Sequence, residues 1–293
     1  MKDEASGIVI NTFDELEHES LEALREENPR IFAVGPLLPP AYFNEHAKAG
    51  MDGGDAVTHD PANDEGLVTT YHSAALWPED HACLKWLNGR ALKSVLYVSF
   101  GSIAVLRREQ FEELALGLEA SGVALLWVIR PDLMYGEKAL FPRGYLERMK
   151  ERTCFVEWAP QLQVLTHGAV GGFLTHCGWN STLESICAGV PMLGWPYFAD
   201  QMLINRCCVD AWGVGLTFES DPLLGQLVRR VEVEAKVREL MGPNSKSGAA
   251  FRQKAWDWRD AARKAALLKG GSSERSWREL MESIRSQVAV PRA

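Results

Sequence analysis

The densest run of chemically capable residues lies at 176–184, His176-Cys177-Gly178-Trp179-Asn180-Ser181-Thr182-Leu183-Glu184. Apolar Phe173 and Leu174 come just before it, so the segment reads as a strand running into a glycine turn that opens a helix. The first N–H groups of a helix lack intrahelical partners and, with the macrodipole, favour an anion. Gly178 permits close backbone approach, and His176 adds a donor at the strand tip. Such a site would hold a diphosphate without a lysine. Asn180 or Ser181 suits the N-cap position. Two readings of Glu184 stay open. With Ser181 it has the spacing of a capping box, in which the carboxylate bonds back to the cap. A free carboxylate one turn into the helix could instead accept both hydrogens of a ribose diol.

Other chemistries are less well served. No G-x-G-x-x-G accompanies the turn, so a nicotinamide or flavin fingerprint is missing. His176 next to Cys177 suggests a thiol–imidazole pair, but neighbours on a strand point to opposite faces. The six cysteines (Cys83, Cys154, Cys177, Cys187, Cys207, Cys208) form no C-x-x-C pair, which argues against a zinc ribbon or a redox dithiol. Most sit in apolar stretches, as buried free thiols of a reducing compartment do.

The elements that must position these residues alternate. Val95–Phe100 is a short apolar run stopped by Gly101-Ser102, and predicts a buried strand. Phe111, Leu114, Ala115 and Leu118 recur at helical spacing within 107–120. Strands are expected at 124–129, 153–157, 171–175, 191–194 and 214–218. Helices are expected at 163–167, 181–188, 200–212, 229–241, 247–268 and 274–285. The alternation implies an α/β fold with a doubly wound parallel sheet, whose ligands sit off the carboxyl ends of the strands. Before it, residues 8–13 read as a strand, 14–27 as an acidic helix and 31–38 as a crossover segment. Residues 39–80 hold Gly, Pro, Asp, Asn and Ala without a steady period, as a linker or an inserted surface loop does.

Composition narrows the class. The 293 residues are 46% apolar and 24% charged, ordinary for a globular chain of about two domains, with a formal charge of −8. No Lys/Arg run exceeds two residues, so neither a nucleic-acid groove nor a polybasic membrane patch is expected. The polar, acidic start is not a signal peptide, and no stretch of about 18 apolar residues offers a membrane span; a soluble, cytoplasmic protein is expected. Ten tryptophans leave room for some to act as stacking platforms.

Residues 158–201, WAPQLQVLTHGAVGGFLTHCGWNSTLESICAGVPMLGWPYFADQ, resemble over all 44 positions the PSPG box, the plant secondary product glycosyltransferase signature of UDP-dependent glycosyltransferases. Ser99-Phe100-Gly101-Ser102, Trp127-Val128-Ile129-Arg130 and Gly270-Gly271-Ser272-Ser273 are similar to the family's flanking segments. The resemblance implies a GT-B fold, two Rossmann-like domains facing a cleft, with the C-terminal one binding the nucleotide sugar. It implies that Trp158 stacks on uracil and that Gln161 lies at the uracil edge, with backbone groups such as that of Ala159 reading the base. Ser102, His176, Asn180 and Ser181 would contact the diphosphate, Glu184 the ribose, and Trp179, Asp200 and Gln201 the sugar. A Gln in the last box position goes with glucose, so UDP-glucose is the expected donor. The acceptor would be a small hydroxylated plant metabolite such as a flavonoid, another phenolic or a terpenoid. No cofactor and no metal are expected.

The family's inverting transfer uses a His near the start of the first domain as general base, oriented by an Asp. Gly7–Glu17 and Val34–Leu37 resemble the end of that domain, so about half of the family's chain has no counterpart here. The organisation expected is a remnant of the acceptor domain at 1–38, a linker at 39–81, the donor-binding domain at 82–268, and a C-terminal helix and tail at 269–293. No catalytic residue is assigned within the chain. Two functions follow: a truncated UDP-glycosyltransferase, or a non-catalytic UDP-sugar binding module that lacks the base.

Overall fold

The computed structural model describes residues 7–43, 78–134, 141–220 and 225–288. Its centre is a six-stranded, all-parallel sheet of β3 (Val95–Ser99), β4 (Ala124–Val128), β5 (Thr153–Val156), β6 (Val170–Thr175), β7 (Met192–Gly194) and β8 (Gly215–Thr217). The spatial order is β5-β4-β3-β6-β7-β8. This is the doubly wound arrangement, and the order reverses between β3 and β6. Every residue of β3 and of β6 is buried, as a parallel sheet covered on both faces requires.

Alternate strand residues feed two cores. Val95, Tyr97, Leu126, Val128 and Phe173 pack with α2 (Ala82–Asn88), α6 (Trp179–Ala188) and α9 (Lys246–Leu267). Leu96, Val98, Leu125, Trp127 and Leu174 pack with α3 (Arg108–Ser121) and α8 (Arg230–Met241). In α3, Phe111, Leu114, Ala115 and Leu118 are buried as their spacing predicts, and Gly122 ends the helix at φ 78°. The Gln110 side chain bonds the Val228 backbone in both directions, at 2.9 and 3.0 Å, which fixes the entry to α8.

The first residues form a separate, two-stranded parallel sheet of β1 (Ile8–Ile10) and β2 (Ile31–Ala33), joined by α1 (His18–Glu27). The crossover segment is therefore itself a strand. The last helix, α10 (Ser272–Val288), packs on β2. Ser272 Oγ reaches Glu15 Oε2 at 2.8 Å and Ser273 Oγ donates to the Gly35 carbonyl.

Several sequence expectations are corrected. Pro40–Phe43, read as the start of a linker, is a 3₁₀ turn in which buried Phe43 joins the main core. Residues 44–77 of that stretch lie outside the described residues. The helix expected at 163–167 is α5 (Gln161–Thr166), which begins directly after Pro160. That expected at 200–212 is α7 (Gln201–Arg206) followed by a π-turn at Cys207–Ala211. The strand expected at 8–13 stops at Ile10. Helices α2 and α4 (Tyr145–Met149), of seven and five residues, are too short for a periodicity to reveal.

Candidate functional site

Ser102, His176 and the start of α6 meet where β3 and β6 end side by side, the place a doubly wound sheet keeps for its ligand. The turn into α6 owes its shape to Cys177, whose φ of 62° is left-handed. Its thiol lies 3.7 Å from Asn205 Oδ1 and its backbone N–H donates to Thr175 Oγ1 at 3.2 Å. Asn205 in turn donates to Thr217 Oγ1 at 2.8 Å. Buried contacts of this kind hold a strained residue in place. Burial pushes the Cys177 thiol up to about 12, so it stays protonated and is no nucleophile.

Gly178 is the N-cap of α6, and among the described residues no side-chain cap bond closes that end. This corrects the assignment of Asn180 or Ser181 as cap. It also removes the capping box, because Ser181 and Glu184 both accept from Gln161 Nε2, at 2.9 and 2.7 Å. The N-terminus of the ten-residue helix is left for an anion.

The His176 imidazole fits between two glycines: a Cβ on Gly101 or Gly178 would come within 2.5 Å of its ring. Gly101 is also left-handed, at φ 68°. Buried Arg130 fixes the opposing loop by donating to the carbonyls of Gly101 and Ala104, the latter at 2.8 Å. Burial and the Arg130 charge hold His176 down to about 4, with Asp200 opposing. The ring is neutral at pH 7, with a buried Nδ1 that has no partner among the described residues. Its proton affinity is lower folded than unfolded, so the folded state loses stability as pH falls between about 6.5 and 4. Denaturation of wild type and His176→Gln across that window should show wild type losing ground to the variant; a pH-independent difference would contradict the burial of this ring.

Gln161 sits at the hub of the polar cluster. Its Oε1 accepts from Tyr97 Oη at 3.1 Å while its Nε2 serves Ser181 and Glu184. Both amide hydrogens are engaged, so Gln161 organises the carboxylate and the Ser181 hydroxyl. Burial raises Glu184 above the usual carboxylate range, and the Gln161 bond works against that rise. Beneath α6, Tyr42 Oη donates to the Glu184 backbone carbonyl at 2.8 Å.

Trp158 is half-buried just before α5, and its ring makes no contact with another described aromatic side chain. Ala159 is buried and offers only backbone. Asn180 is exposed beside the helix start, and Asp200 is exposed on the loop after β7. Gln201 is buried, its Oε1 accepting from the Tyr197 and Phe198 N–H groups at 2.8 and 3.0 Å, which leaves Nε2 as its donor. Trp179 departs from its expected place: its indole donates to the Asn11 carbonyl at 2.8 Å and packs on Trp212, tying α6 to the first segment. Among the described residues no cluster of His, Cys, Asp or Glu is arranged to hold a metal ion, and no helix is long and apolar enough to cross a membrane. A depression of ≈ 520 Å³ lined by Ser121–Val123, Arg238 and Met241–Ser245 lies at the amino-terminal end of β4, away from these residues.

A family model described as "UDP-glucoronosyl and UDP-glucosyl transferase" matches residues 68–223, more than half of the chain. The chain belongs to that family. Its sequence is 42% identical over 282 residues to UDP-glycosyltransferase 85A2 of Arabidopsis thaliana, a match covering 96% of this chain and 53% of the relative. It is 40% identical over 283 residues to a 7-deoxyloganetin glucosyltransferase of Gardenia jasminoides, covering 97% and 53%. The fold resembles that of Phytolacca americana UGT2, solved with UDP-2fluoro-glucose and pterostilbene, with TM-score 0.73, 34% identity, and coverage of 95% of this chain and 53% of that one. The chain thus spans about half the length of the curated relatives it matches.

Tyr97, Arg130, Asn205 and Tyr42 shape the site without having been singled out for it. Tyr97 and Arg130 had a faint signal, as the one phenol in an apolar strand and a cation directly after another. Nothing local marks Asn205 or Tyr42.

Proposed function

We propose that this chain is the donor-binding half of a UDP-dependent glycosyltransferase, and that it holds UDP-glucose across the carboxyl ends of β3 and β6. The observation that carries the reading is the uncapped N-terminus of α6 facing a neutral His176 at the switch point of the sheet. The diphosphate would take the free N–H groups of α6, with Ser102, Ser181, Asn180 and His176 as side-chain donors. The ribose would lie on Glu184 and the uracil on Trp158. Asp200 and the Nε2 of Gln201 suit the hydroxyls of a hexose, and glucose is inferred from the residue type at 201.

In the whole enzyme, transfer to a small hydroxylated acceptor such as a phenolic would proceed with inversion. These residues would orient the donor and stabilise charge on the departing UDP as the glycosidic bond breaks. Deprotonation of the acceptor calls for a base on the other side of the sugar. Among the described histidines none stands there. His18 is exposed on α1, His167 bonds Asn88 at 2.9 Å, and His176 lines the diphosphate position. His81 has Glu79 at 3.4 Å, and the Asp80 N–H to Trp158 carbonyl bond puts that pair beside Trp158, the proposed uracil platform.

Thermal unfolding with and without UDP tests the reading. A single-site ligand at about a hundredfold excess over Kd adds about 2.7 kcal/mol of stability. A rise of several degrees is expected for a chain of this size. No rise at millimolar UDP would refute the site.

A further inference from the structure

The proposed ribose carboxylate and the Ser181 hydroxyl are both organised from below by one amide, and that amide has a definite orientation. Gln161 Nε2 faces two acceptors, Glu184 Oε2 at 2.7 Å and Ser181 Oγ at 2.9 Å. Turning the amide over would put its oxygen against the carboxylate and leave two lone-pair groups facing each other. On the other side, Oε1 meets the Tyr97 hydroxyl at 3.1 Å. We propose that Tyr97 is a positioning residue of the donor site, which fixes the Gln161 amide so that Ser181 and Glu184 present one hydrogen and one free oxygen to the nucleotide.

The fold makes Tyr97 suited to this and to little else. It lies in the middle of the central strand β3, only 1% exposed, with its ring stacked on Phe173 at 4.8 Å between centroids. It cannot reach a ligand at the strand ends. Burial pushes the phenol up, so it keeps its proton and donates. The phenolic hydrogen goes to Gln161 Oε1. The polarity then runs one way: Tyr97 to Gln161, Gln161 to Ser181 and Glu184. Having accepted from Gln161, Ser181 has its own hydrogen for a phosphate oxygen. With Oε2 occupied, Glu184 keeps Oε1 for a ribose hydroxyl.

This role rests on the donor-site reading, and a titration series separates the two. UDP and 2′-deoxy-UDP are titrated into wild type, Tyr97→Phe, Gln161→Met and the double variant. Phe keeps the ring and its stacking, and a melting temperature confirms the fold. Tyr97→Phe should weaken UDP about three- to tenfold, the range of one neutral hydrogen bond. It should reduce the preference for UDP over 2′-deoxy-UDP. In the Gln161→Met background the same change should alter UDP affinity by less than about twofold, because the intermediary is gone. A phenol that merely packs would weaken both nucleotides alike and in both backgrounds, and that result would overturn the role, as would unchanged affinity in Tyr97→Phe. Failure of the wild-type chain to bind UDP would overturn the donor-site reading and this role with it.

Discussion

Incubated with UDP-glucose and a panel of phenolic acceptors, the 293-residue chain on its own is expected to form no glucoside above the rate at which UDP-glucose hydrolyses. Two contributions are missing from its described residues. A general base contributes about 10²–10⁴-fold, and no described histidine stands where an acceptor hydroxyl would be deprotonated. An acceptor pocket converts a bimolecular step into a positioned one, worth roughly 7–11 kcal/mol of the barrier. What the donor site can supply is electrostatic help to the leaving diphosphate, from the α6 N-terminus and the donors around it. That help acts on hydrolysis and transfer alike. Glucoside appearing at ordinary enzyme rates of about 1–10³ s⁻¹ would show that the chain holds its own base, and the donor-half reading would fail.

Loss of Trp158 or Glu184 should be the costliest single change for UDP binding. An aromatic platform under a base is worth about 1–3 kcal/mol, so Trp158→Ala should weaken UDP by roughly five- to a hundredfold. A hydrogen bond to a charged group is worth about 1.5–3 kcal/mol, which gives Glu184→Ala a similar range. The two differ in ligand dependence. Trp158→Ala should weaken UDP and 2′-deoxy-UDP alike, whereas Glu184→Ala should weaken UDP more. Calorimetric titration reads both. Because Glu184 is raised by burial, UDP affinity should also fall as pH drops through its elevated value, and this fall should be absent from Glu184→Ala. Wild-type UDP affinity in both variants would remove the base and ribose from these positions.

Much of this architecture is legible from the chain because parallel strands buried on both faces leave short apolar runs punctuated by glycine. Val95–Ser99 before Gly101 and Val170–Thr175 before Gly178 are of this kind. The amphipathic spacing of Phe111, Leu114, Ala115 and Leu118 is equally readable, since one face of α3 meets the sheet. The start of α6 is not. Asn180 and Ser181 have the chemistry of caps, but left-handed Cys177 turns the chain sharply enough for the helix to begin at Trp179. That conformation is held by Asn205, 28 residues away, which no local pattern encodes. The hydrogen bonds of Gln161 are hidden from the sequence for the same reason. Its partners Tyr97 and Glu184 are 64 and 23 residues distant, so the direction of its amide is a property of the packed sheet. The indole of Trp179 turned towards Asn11, 168 residues earlier, because the first segment folds back over α6.

A crystal structure of the chain with UDP tests the central claim most directly. The account predicts diphosphate density at the N-terminus of α6, its oxygens within hydrogen-bond reach of the Asn180 and Ser181 backbone and of His176 and Ser102. It predicts the ribose on Glu184 and the uracil against the face of Trp158. Nucleotide bound elsewhere, in the Ser121–Val123 depression for example, or a diphosphate that leaves the α6 N–H groups untouched, would contradict it.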